Sequence, residues 1–208
     1  MSTIIVIFAN SVKHGKHCVA GKVVNTHQWI RPVSDIYGAE LTDTQCLYEN
    51  PHGQFKVKPL QIIEMNLAQH VPLISQPENH LISDQIWQQR YRIDDAEIID
   101  YLDIPETLWG AGNRVNYAKI EAKIVNIDHS LYLVKVSDLQ LSKTAEGKRR
   151  AIFNYAGIAY DLPVTDPNFE KQLADPQHQQ MLCVSLGEKH DPACGENYSC
   201  YKIVATIL

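Results

Sequence analysis

Residues 3–34 read TIIVIFANSVKHGKHCVAGKVVNTHQWIRPVS. Residues 3–9 are a run of β-branched and apolar side chains. Residues 10–16 are polar and carry Lys13, His14, Gly15 and Lys16. Residues 17–25 form a second run, rich in valine, and residues 29–33 a third, closed by Pro32 and Ser34. The apolar period is nearer two than 3.6, and β-branched and aromatic residues dominate, so the stretch predicts three strands joined by polar turns. Two readings fit these residues. One is the opening of a small β-barrel whose turns present cations and an aromatic ring to a nucleic-acid strand. The other is an ordinary buried β-meander with solvated turns.

Outward from this stretch the strand signal fades and returns. Residues 34–53 are turn-rich, with Gly38, Asn50, Pro51 and Gly53, and read as a long loop. Residues 59–72 suit one long strand, and residues 76–83 a linker. Residues 83–91 and 93–109 read as helices: Ser83 or Asp84 serves as N-cap of the first, and Asp94 and Asp95 suit the N-terminus of the second. From residue 115 strands are expected again, over 117–127, 130–136 and 151–159. A short helix is expected within 165–180, and a closing hairpin over 181–186 and 201–208. The count of eight to ten strands in two groups predicts a mainly β (α+β) chain. Its architecture is two tandem OB-like five-stranded β-barrels with a helical insert over about 83–109. The expected domains are 1–114 and 115–208, and the competing architecture is a single larger sandwich.

The chain has 208 residues, a net charge of −5 and a pI near 6.0. This balance weighs against a non-specific nucleic-acid binder, so any such binding rests on a local patch and is salt-sensitive. No run of about 18 apolar residues occurs, so no membrane partner is expected. The N-terminal segment lacks the basic prelude and small-residue cleavage site of a signal peptide, and the expected location is cytoplasmic. Five cysteines fit reduced thiols. Cys194 and Cys200 flank a turn and either meet across a hairpin or join His190 around a metal. Their five-residue spacing matches no common zinc pattern, so no metal is expected.

Two further stretches bear on identity. ANSVKHGKHCVAGK (residues 9–22) with WIRPVS (29–34), and KRRAIFNYAGIAYDLPVTDP (148–167) with LCVSLGE (182–188) and YKIVATIL (201–208), resemble the opening and end of the prokaryotic dual OB-fold domain family. The resemblance spans essentially the whole chain, although residues 34–113 carry no motif of it. It implies two tandem OB-like barrels and a nucleic-acid-binding role in bacterial mobile-element or defence gene neighbourhoods. It implies no catalytic activity, and it adds nothing to a metal role for Cys194 and Cys200.

An OB-type site needs cations along the phosphates and aromatic faces against the bases. The candidates are Lys13, Lys16, Lys22, Trp29 and Arg31 in the first half, and Lys148, Arg149, Arg150 and Tyr155 in the second. The run 148–150 is the densest positive cluster and the preferred phosphate contact, with Arg90, Arg92 and Arg114 able to join such a groove. The opposing reading makes Arg31 a structural ion-pair residue, Trp29 a core residue and the 148–150 turn merely solvated. No P-loop, dinucleotide glycine fingerprint or GxSxG occurs. His14 and His17 are the one pair placed for acid–base work, and Asp94, Asp95, Asp100 and Asp103 fit a solvated face. No catalytic residue and no cofactor is expected. The predicted partner is single-stranded or structured nucleic acid; the alternatives are a protein–protein adaptor and a nucleic-acid- or nucleotide-processing enzyme.

Overall fold

A computed structural model describes residues 2–13, 15–175, 180–190 and 197–208. The chain divides into two compact units. One holds residues 1–73 and 78–101, the other 74–77 and 102–208.

The first unit is organised by β1 (Ser2–Lys13). Its register shifts between Ile7 and Ala9, and the shift bends the strand so that it serves two sides of one sheet. Residues 2–6 pair with β6 (Gln61–His70), and residues 5–13 with β2 (Lys16–Val23). The other strands are β3 (Trp29–Val33), β4 (Leu47–Asn50), β5 (Gly53–Lys56), β7 (Asn79–Ile82) and β8 (Trp87–Arg92). Pairing runs β1-β2-β3-β7-β6 and returns to β1, which closes a β-barrel. Of its contacts only β3–β7 is parallel. From β6 the sheet continues outside the ring through β8, β4 and β5. Ile5, Ile7, Val19, Ile30, Ile63, Met65 and Trp87 fill the barrel core. At the bend, a Cβ on Gly21 would lie 2.2 Å from the Val6 carbonyl oxygen, so only glycine lets the two strands cross this closely.

In the second unit the elements are β9 (Arg114–Asn116), α1 (Tyr117–Glu121), β10 (Leu131–Lys135), β11 (Ser137–Lys143), β12 (Arg149–Tyr155), β13 (Ile158–Pro163), α2 (Phe169–Ala174), β14 (Met181–His190) and β15 (Ser199–Ile207). They form a sheet β10-β14-β15-β9 and a sheet β11-β12-β13. Two features link the sheets. β10 runs into β11 through Val136, and a parallel bridge joins Val164, just past β13, to Val204 on β15. Phe153, Tyr160, Leu162, Phe169, Val184 and Val204 belong to one shared core.

Several expected elements differ. Residues 83–91 are not a helix. Trp87–Arg92 is strand β8, because Trp87 is buried and the segment pairs with both β6 and β4. Gln and Arg tolerate helices well, but tertiary pairing overrides that preference. Over 93–109 the helical structure is limited to a 3-10 turn, Asp95–Tyr101. The 76–83 linker contains β7, a member of the ring, and the 34–53 loop ends in β4 of the β4–β5 hairpin. Residues 117–121 are helix rather than strand, with the Asn116 side chain accepting from the Ala118 N–H as N-cap.

One pairing makes stability depend on pH. His70 and His80 are register partners in β6 and β7, and their rings stack at 4.6 Å. Burial, reinforced by the neighbouring His70, holds His80 below the ordinary imidazole range against the Glu78 contact. A histidine whose folded value is depressed contributes fully above the unfolded value and loses that contribution as pH falls. Urea unfolding at pH 7.5 and 5.5 is expected to show a loss in the parent, below about 1 kcal/mol at this partial exposure, that shrinks in His80→Gln.

Candidate nucleic-acid interface

The first-unit candidates divide by burial. Lys22 is 2% exposed; its Nζ donates to the Tyr101 carbonyl at 2.7 Å and lies 5.0 Å from the centre of the Trp29 ring. Trp29 is 3% exposed and packs edge-on against Phe8, which also meets Tyr101. Arg31 is buried, and its Nε donates to the Glu78 carboxylate at 3.2 Å. These three residues therefore point away from the barrel core and are covered by the protein rather than open to solvent. Lys16 is exposed at the start of β2. Lys13 pairs with it in register, but the Lys13 side chain and His14 lie outside the described residues. His17 is buried with both ring nitrogens engaged, Nδ1 by Asn10 at 2.8 Å and Nε2 by Asp43 at 2.7 Å, so it has no nitrogen left for acid–base work. Lys56, first, and then His17 hold the Asp43 carboxyl below the usual range.

The 148–150 run is drawn apart by its strand. Lys148 is exposed in the turn. Arg149 donates to the Asp166 carbonyl, pairs with Glu170 at 3.4 Å and covers the Phe169 ring. Arg150 points to the other face, where Nε meets the Asp161 carboxylate at 2.8 Å and Nη2 the Asp161 carbonyl at 2.7 Å. Tyr155 is half-buried, and its hydroxyl donates to the Pro105 carbonyl at 2.7 Å. Two of the three cations thus carry a carboxylate partner each.

A different group of cations and rings comes together at the far end of β14–β15. A cavity of about 670 Å3 is lined by Trp109, Gly110, Ala111, Arg114, Asn116, Lys119 and Ser199, among others. Arg114 and Lys119 are exposed. β9 places Arg114 and Asn116 beside Tyr201 and Ser199 of β15, and the Asn116 cap starts the helix that carries Lys119. Lys189, exposed on β14, lies 4.4 Å from the Tyr117 ring centre and 4.3 Å from that of Tyr198. Tyr198 is 45% exposed. Trp109 stacks on Tyr132 at 4.6 Å, and its indole N–H donates to the His129 carbonyl, so two contacts hold this ring of the cavity wall. The first unit has a cavity of about 470 Å3 between residues 34–54 and 82–87, and its one charged lining residue is Asp84. An anion is therefore favoured at the second-unit cavity and disfavoured at the first.

Of this group the sequence pointed to Arg114 alone. Tyr117, Lys119, Lys189 and Tyr198 escaped because the rings and cations are separated by some seventy positions, and Trp109 sits before what reads as a plain glycine breaker. The available signal was the alternation of cation and ring in Arg114, Tyr117 and Lys119. Cys194 lies outside the described residues. Cys200 is buried, and burial pushes its thiol up to about 11, which keeps it protonated and a poor metal ligand.

A bent first strand shared by two neighbours, a closed circuit and one parallel contact between its third and last strands define an OB-type barrel. The profile of the dual OB-containing domain family matches residues 3–207, and the chain belongs to that family. Neither the curated proteins nor the solved structures compared with the chain include a match.

Proposed function

We propose that this protein is a nucleic-acid-binding module of two OB-type barrels, and that the cavity at the β14–β15 end of the second unit carries the strand. The second unit supports a five-stranded barrel by its pairings. Taking β10 and β11 as one bent strand, the circuit β11-β12-β13-β15-β14-β10 repeats the order of the first ring, with the Val164–Val204 bridge as its parallel contact. In OB barrels the loop between the last two strands is one of the ligand-binding loops, and β14–β15 is that hairpin. The observation that carries the reading is the gathering of Arg114, Lys119 and Lys189 with Trp109, Tyr117 and Tyr198 in a chain whose net charge is −5. Cations follow phosphates and rings stack on bases, which is the recognition mode of single strands.

Fluorescence anisotropy with short single-stranded DNA and RNA across salt concentrations tests the reading. Three phosphate contacts predict a slope of log affinity against log salt of about −2. Absence of binding to either polymer at low salt overturns the proposal and turns attention to a partner protein.

A further inference from the structure

We propose that Lys202 is a positioning residue of the nucleic-acid cavity: its buried ammonium gathers the carbonyls of residues 110–112 and so holds the loop that walls the cavity, and a nucleic-acid strand binds tightly only while that ammonium keeps its charge. The inference rests on the reading above and names what regulates the same site.

Lys202 is fully buried on β15. Its Nζ donates to the carbonyls of Gly110 at 2.5 Å, Ala111 at 3.2 Å and Gly112 at 3.0 Å, and its backbone N–H donates to the Asn113 carbonyl at 2.9 Å. One residue thus holds four successive carbonyls. An ammonium has three N–H donors, and the three side-chain contacts use all of them. A neutral amine has two N–H donors and a lone pair, so one carbonyl would then face a lone pair and the set would open. Burying an ammonium is costly unless it is hydrogen-bonded throughout. An apolar side chain would fill the same place without that cost, so packing alone does not account for the charge.

The loop so held belongs to the cavity. Gly110 and Ala111 line it, as do Trp109 just before them and Arg114 just after Asn113. Gly110 and Gly112 have positive φ, 86° and 76°, and residues 111–113 are exposed, so the loop's own backbone constrains it little. Its second anchor is the Tyr160 hydroxyl, which donates to the Gly110 carbonyl at 3.1 Å and accepts from the Leu108 N–H at 3.2 Å. Residues 107–113 carry no ionisable side chain. Around Lys202, β13 presents Tyr160, whose ring centre lies 5.2 Å from Nζ, and β15 itself presents Cys200. β14 sets Leu186 opposite Lys202 and Lys189 opposite Cys200, and β9 sets Val115 opposite Cys200. Burial raises the Tyr160 hydroxyl and pushes the Cys200 thiol up to about 11, so both keep their protons at neutral pH. Burial pushes the Lys202 ammonium down to about 8.

The test reads the anisotropy of a labelled single-stranded oligonucleotide from pH 6.5 to 9.0 at fixed ionic strength. Affinity for the parent protein is expected to fall about fivefold or more, with a midpoint near pH 8. Lys202→Met is expected to bind with the weaker, high-pH affinity throughout and to show no such midpoint. Tyr160→Phe removes the second anchor and keeps the lysine, so it serves even if Lys202→Met does not fold. It is expected to widen the fall; an unchanged pH profile in Tyr160→Phe counts against the loop. The titration of Lys202 itself, followed through the 13C signal of its ε-carbon, is expected to move upward when oligonucleotide is added, because a ligand that prefers the charged form holds the proton in place. Stability separates this role from a merely structural one. A lysine depressed from 10.5 to about 8 makes the fold more stable as pH rises above 8, since the unfolded chain then binds the extra proton. The urea midpoint of the parent is therefore expected to rise against that of Lys202→Met over the range in which affinity falls. Strand binding that stays flat across this range, with a Lys202 titration unmoved by the oligonucleotide, overturns the inference and leaves the nucleic-acid reading standing. A Lys202 that titrates near pH 8 in a protein ignoring every oligonucleotide overturns that reading, and the inference with it.

Discussion

Replacing Arg31 by Met is expected to lower the free energy of unfolding by about 3–5 kcal/mol and to leave oligonucleotide affinity unchanged. Arg31 sits in β3, with its side chain buried against Glu78, just before β7, and the Glu78 side chain is 3% exposed. The backbone joins the same two residues, Arg31 N–H to the Glu78 carbonyl at 3.0 Å. Desolvating two charges costs several kcal/mol each, and mutual attraction offsets the cost only while both partners remain. Removing Arg31 leaves a carboxylate in the interior at the one parallel contact of the ring. The pair also carries information about chain order, because parallel neighbours far apart in sequence have no turn to set their register. Arg31→Met combined with Glu78→Leu is therefore expected to recover most of the loss, since apolar replacement of a whole buried pair is often neutral. Urea unfolding of the two single variants and the double variant measures this directly. A single variant that stays within about 1 kcal/mol of the parent and loses oligonucleotide binding would return Arg31 to the role of ligand contact.

The case of Arg31 marks the limit of what alternation reveals. Period-two patterning identified β1, β2, β3, β6 and the closing hairpin, because each has a clear apolar face. The same alternation puts Lys22, Trp29 and Arg31 on the face opposite the core, which for an isolated sheet is the wet one. Here that face is covered; Tyr101 closes over Lys22, and Phe8 lies against Trp29. Periodicity tells the two faces apart, but whether the second is covered depends on residues seventy positions away. Strands β7 and β8 were missed for a related reason. NHLI and WQQRYR have weak apolar patterns, and ladders with distant strands hold them. The second-unit cavity was equally hard to see. GAGN reads as a breaker, and the side chain that gives the loop its form, Lys202, sits ninety residues later in an otherwise apolar strand. A lone lysine in such a strand suggests a wet face, whereas three backbone carbonyls make a dry one tolerable.

Neutralising Arg114, Lys119 and Lys189 together is expected to weaken single-strand binding about 10- to 100-fold at physiological salt and to bring the salt slope close to zero. Each side chain is exposed on the unit's surface, so the triple alanine variant should keep its fold. The effect has two parts. Loss of three phosphate contacts removes the counterion release that drives association in a chain of net negative charge. Loss of Lys189 also frees the Tyr117 and Tyr198 rings, between which it now lies. The decisive contrast is with Lys148→Ala/Arg150→Ala. Arg150 already meets a carboxylate and a carbonyl of Asp161, so a phosphate would have to compete with contacts already in place. That pair is expected to change affinity by no more than about threefold, in line with a rim charge that affects encounter more than holding. If the two variants exchange roles, with the β12 turn controlling affinity and the cavity indifferent, the strand runs along the β11–β12 turn and the assignment of the interface moves there.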